Sequence, residues 1–221
     1  MIPRMMIITD ERVRMTYRMF SKINIVVLGL LFLIASLPGI VPLATGADPS
    51  LIPSYGKGPV ELIVFTDYFC PPCMTIEGDL EPAIKKLLQQ GQVKVIFVDI
   101  PGHKQTAMYA KYFLFATRGA AGHENAVQAR NVLFGLSKQN LAKTEAEIEK
   151  AFQEKGVAFK PFDPKPVYGA WNLLMKKHKI TDTPTCVLKY SETDVRKFVG
   201  SVEIRNGLLP ELAAKGKKPR T

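Results

Sequence analysis

Two cysteines three residues apart, Cys70-Pro71-Pro72-Cys73, follow closely on an apolar, β-branched run, Val60–Thr66 (VELIVFT). Thiol–disulfide chemistry needs one sulfur available as a thiolate and a second close enough to displace it. Cysteines at i and i+3 in the first turn of a helix meet both needs. The unpaired N–H groups and the positive end of the helix dipole favour a thiolate on the first, and the pair can close a small disulfide. Pro71 and Pro72 suit that opening turn, because proline has no N–H to leave unused and its φ is preset near helical values. Two other uses of the pair compete. A zinc site would need a second Cys/His pair, but Cys186, His103, His123 and His178 are scattered singly along the chain. A purely structural disulfide across so short a loop would add little stability. Redox activity is the stronger reading, and Asp67, three residues upstream, is expected to cap the helix or bond within its turn.

The surrounding sequence supplies elements to hold these residues. Val60–Thr66 reads as a buried strand, the Cys70 region to Gln90 as a helix ended by Gly91, and Val93–Ile100 as a second strand. Strand, helix and strand at this length form a βαβ unit with a parallel pair. From Lys104 to about Lys179 the pattern is mostly helical, with a capping box at Thr144-Glu145-Ala146-Glu147. Val187–Tyr190 and Val195–Gly200 read as short strands around a polar turn, and Val202–Lys215 as a closing helix that can break near Pro210. Thr183-Pro184 lies at the entrance of the third strand. A proline there costs no ladder bond and suits a cis peptide.

With strand, CPPC, helix and Thr-Pro in place, the chain resembles the thioredoxin superfamily, in particular its DsbA-like branch of exported thiol–disulfide oxidoreductases. The likeness rests on FTDYFCPPC, the helical insertion, TPT before the third strand and Gly200 before the last helix, and covers roughly Pro59 to Ala214. It implies an α/β thioredoxin fold, β-α-β … β-β-α, over residues 60–214, with a helical insertion at about 104–179. It further implies that Cys70 is the nucleophile, that Cys73 resolves the mixed disulfide, and that Thr183 and Pro184 bind substrate backbone. Protein thiols and disulfides would be the substrates, a second redox protein, in the membrane or outside it, the partner, and no cofactor would be needed. Two departures from the family stand out. Val64 occupies the position, six residues before the first cysteine, where many relatives carry a buried acid. Pro71-Pro72 replaces the Pro-His of the strongest oxidants, so the redox direction does not transfer; reductase and isomerase activity, or metal binding by the cysteine pair, remain alternatives.

Charge and hydropathy set the context. The 221 residues carry a net charge of +10, but no Arg/Lys stripe is interleaved with aromatics, which argues against nucleic-acid binding. Residues 1–47 combine a basic lead, an uncharged span from Ile23 to Ala47 and a small-residue exit, Thr45-Gly46-Ala47. That is an export signal, either cleaved or retained as an anchor, since about 20 apolar residues cross a bilayer. Either way the domain is expected outside the cytoplasm. Residues 48–59, rich in Pro, Gly and Ser, read as a linker, and residues 215–221 as a basic tail. Among the remaining candidates, Cys186 is expected to be a buried inert thiol, His103 a solvated loop residue, and Trp171 and the aromatic run Met108–Phe115 core packing.

Overall fold

A five-stranded mixed sheet carries the site, in the order β1 (Ser54–Tyr55), β3 (Val93–Asp99), β2 (Val60–Thr66), β4 (Thr185–Lys189), β5 (Val195–Val199). The computed structural model describes residues 49–215; the expected export segment and the last six residues lie outside them. The central strands β2 (Val60–Thr66) and β3 (Val93–Asp99) run parallel, in register from Val60↔Val93 to Thr66↔Asp99. Their central residues are buried regardless of side-chain parity, as expected for parallel strands covered on both faces. Helix α1 (Pro71–Gln89) joins them. It buries Cys73, Ile76, Glu77, Leu80, Ile84 and Leu87 at helical spacing and stops where Gly91 takes φ +65°. Strand β4 (Thr185–Lys189) pairs antiparallel with β2, with Phe65 opposite Thr185 and Val64 opposite Cys186, and β5 (Val195–Val199) pairs antiparallel with β4.

The segment read as a linker is partly sheet. Ser54–Tyr55 forms β1, an antiparallel edge strand on β3, and Ile52 and Tyr55 are buried. The Pro and Gly content that signals a linker serves a tight turn instead. Gly56 sits at φ +80°, and a Cβ there would meet the Val93 carbonyl oxygen at 2.2 Å.

Between β3 and β4 the chain forms α2 (Thr106–Thr117), α3 (Glu124–Gln139), α4 (Glu145–Glu154) and α5 (Lys165–Lys177). The capping box is present: Thr144 and Glu147 exchange side-chain and backbone hydrogen bonds at the start of α4. Tyr109, Tyr112, Phe113 and Trp171 pack inward. After β5, Gly200 at φ +80° starts the short α6 (Gly200–Glu203). A π turn, Ile204–Leu208, and α7 (Leu209–Lys215) follow. The irregularity thus precedes Pro210, which sits in the first turn of α7, where a missing N–H is tolerated.

A buried ion network ties the inserted helices to the sheet. Arg130 of α3 bonds both Glu77 carboxylate oxygens of α1 at 3.0 and 2.9 Å, Asp99 of β3 at 3.4 Å and the Thr66 hydroxyl of β2 at 3.2 Å. Phe97 and Phe134 lie against its guanidinium, their ring centroids 4.3 and 5.2 Å away. The Tyr68 hydroxyl completes it by donating to Asp99 at 3.1 Å. Burial pushes the Asp99 carboxyl up to about 6, against the opposing influence of Arg130.

Candidate redox site

Cys70 and Cys73 stand where β2 gives way to α1. Cys70 is the N-cap residue in extended geometry (φ −78°, ψ 118°), with Pro71 and Pro72 opening the helix behind it. Its side chain makes no capping bond to the helix. Both cysteines are thiols. Cys70 is 8% exposed and Cys73 fully buried, so Cys70 is the more accessible of the two. Burial pushes the Cys73 thiol well up, with the Asp67 N–H and the Thr183 hydroxyl partly offsetting it.

The Thr183–Pro184 peptide is cis, and the Cys70 thiol donates to the Thr183 carbonyl oxygen at 3.4 Å across 113 residues of sequence. The chain thereby brings together Cys70, Cys73 and the Thr183-Pro184 loop. Asp67 joins them without capping the helix. Its Oδ1 accepts the Phe69 N–H at 2.8 Å, a bond within the turn. His103 is half exposed on its loop, as expected, and its Nδ1 lies 2.8 Å from Asp67 Oδ2. Sequence reading also leaves out Thr106, whose hydroxyl donates to Asp67 Oδ1 at 2.6 Å. The signal available for both was the loop Pro101-Gly102-His103 directly after β3, the strand paired with the one that carries the cysteines. Among the described residues, no group of three or more His, Cys, Asp or Glu side chains is placed to hold a metal ion.

Cys186 lies in the β4 core, fully buried, opposite Val64. Burial raises its thiol, Glu77 adds to the rise and Arg130 opposes it. Cys186→Ala is expected to cost about 1 kcal/mol of stability and to leave thiol exchange unchanged, as denaturant titration and a peptide-oxidation assay would show. Rapid alkylation of Cys186 in the folded protein would contradict its role as packing.

A dithiol at the start of a helix, facing a cis-proline loop on a mixed sheet, defines a thioredoxin-fold protein. A family model described as Thioredoxin matches residues 55–197, and the chain belongs to that family. Among solved structures it is similar to a periplasmic thioredoxin-like protein from Salmonella enterica serovar Typhimurium. That match has 22% identity and a TM-score of 0.51, and covers 80% of this chain and 99% of that one. ScsC from Proteus mirabilis, in a compact conformation, matches at 20% identity and TM-score 0.52, covering 95% and 100%. A single-site variant of alpha-DsbA1 from Wolbachia pipientis matches at 15% identity and TM-score 0.52, covering 78% and 98%. At these identities the likeness is one of fold. Compared with proteins of curated function, the sequence has no significant match.

Proposed function

We propose that the protein is a DsbA-like thiol–disulfide oxidoreductase acting on exported proteins, with residues 1–47 as its export signal or membrane anchor. The observation that carries this reading is the Cys70 sulfur at the N-cap of α1, next to the Thr183 carbonyl and ahead of a fully buried Cys73. In the oxidising direction a substrate thiolate attacks Cys70 of the Cys70–Cys73 disulfide. A substrate–Cys70 disulfide forms, and Cys73 leaves as a thiolate that takes up a proton. A second substrate thiolate attacks its own sulfur in the mixed disulfide, and Cys70 leaves. The substrate has lost two electrons and the protein has gained them; a second redox protein must remove them again. Thr183 and Pro184 would bind the substrate backbone beside the reacting sulfurs. The Asp67 N–H and the Thr183 hydroxyl, which favour the Cys73 thiolate, would assist its departure. Placement outside the cytoplasm is supported by the apolar lead segment and by a relative described as periplasmic.

The test is to mix the Cys70–Cys73 disulfide form with a reduced dithiol peptide. The expected result is one peptide disulfide per protein disulfide consumed. Equilibration with glutathione then gives the direction: about −120 mV marks an oxidant and about −270 mV a reductant. A protein that binds one zinc tightly through the pair and leaves the peptide reduced would support the metal-binding alternative instead.

A further inference from the structure

Asp67 meets the redox pair through its main chain and holds a second group through its side chain. Its carbonyl accepts the Cys70 N–H at 3.2 Å, and its own N–H favours the Cys73 thiolate. The residue is 1% exposed, yet its carboxyl is fully engaged. Phe69 N–H and the Thr106 hydroxyl occupy Oδ1, and His103 Nδ1 holds Oδ2. A carboxylate can only accept, so Nδ1 carries the proton. Gly102 lets the loop approach this closely: a Cβ there would lie 2.8 Å from Asp67 Oδ2. The imidazole also adjoins the ring of Phe69, the residue before Cys70, at 6.5 Å between centroids. Asp99 is near enough to Asp67 to feel its charge, but it is acidic and already faced by Arg130. Among the described residues, His103 is the basic side chain bonded to Asp67.

We propose that His103 is a positioning residue of the exchange reaction, acting through Asp67, whose carboxylate it holds and partly neutralises while the main chain of the same residue meets both cysteines. This rests on the reading of Cys70 and Cys73 as a redox pair. The direction of the effect follows from charge. An uncompensated carboxylate disfavours a nearby thiolate, and thiolate exists only in the reduced protein. A bond from His103 therefore favours the dithiol, and its loss favours the disulfide.

The full chain, equilibrated with glutathione, tests this. Two glutathione thiols reduce the Cys70–Cys73 disulfide, pass it two electrons and become glutathione disulfide. His103→Ala is expected to lower that equilibrium constant about fivefold. His103→Asn, whose amide can still donate to Asp67, is expected to stay within about twofold of the parent. In an Asp67→Asn background His103→Ala should change nothing further, because the group it acts through is no longer charged. An unchanged constant in His103→Ala, or an equal fall in His103→Asn, would overturn the proposal. So would an equal fall in the Asp67→Asn background. The His103 side chain is 49% exposed, so its two variants retain the core and decide the matter even if Asp67→Asn does not fold. A parent protein that does not exchange with glutathione at all would overturn the redox reading as well. Exchange with an unshifted constant would overturn the role of His103 alone.

Discussion

Cys70→Ser is expected to abolish exchange, by about 10³-fold or more, whereas Cys73→Ser should stop turnover and accumulate mixed disulfides through Cys70. The asymmetry comes from position. Cys70 is at the rim beside the Thr183 carbonyl, while Cys73 lies one helical turn in, fully buried, with its thiol pushed up. On the proposed reading, an incoming protein meets the first sulfur and the second displaces it. Incubating each variant with an oxidised or reduced substrate protein, blocking free thiols and resolving the adducts without reductant reads the result directly. Adducts that form through Cys73 in Cys70→Ser would invert the assignment.

Arg130→Met is expected to destabilise the protein by about 3–5 kcal/mol, because it leaves the Glu77 and Asp99 carboxylates buried without their cation. The contrast is Arg205, bonded to Asp79 at 2.8 Å with both side chains about half exposed. Losing that pair should cost at most about 1 kcal/mol. The cost at Arg130 should also depend on pH. Arg130 holds down an Asp99 carboxyl that burial has already raised to about 6. Without it the folded-state value rises further. An acid raised on folding contributes stability that is full below its unfolded value and lost as pH rises through its folded value. The destabilisation should therefore be largest at about pH 7–8 and shrink towards about pH 5. Urea denaturation of both proteins across that range measures it. A pH-independent loss below about 1 kcal/mol would show that these carboxylates do not depend on Arg130.

What the sequence reveals, and what it hides, divides along physical lines. Val60–Thr66, the CPPC turn and the Thr144 capping box are local signals whose meaning lies within a few residues, and each appears where its pattern places it. Arg130 and Glu77 read as ordinary charged residues of amphipathic helices. Only the packing of α3 against α1, β2 and β3 turns them inward, and no spacing within one helix encodes that meeting. His103 is similar. A histidine after Pro-Gly reads as a solvated loop residue, and it is half exposed, but nothing local shows that the loop brings it to a carboxylate 36 residues away. Ser54 and Tyr55 make a strand too short to carry a period, amid the prolines and glycines that ordinarily mark a linker.

The two borders of the sheet differ in how they are left. β1 is only two residues long and offers an intruding strand little backbone to pair with. β5 is longer and exposed, with Val195 and Val199 facing water, but Arg196 and Lys197 lie between them. Charge on an open border makes the approach of a like border unfavourable, and brevity on the other gives it nothing to gain. The sheet thus has little capacity to recruit other chains as extra strands, and so to seed aggregates.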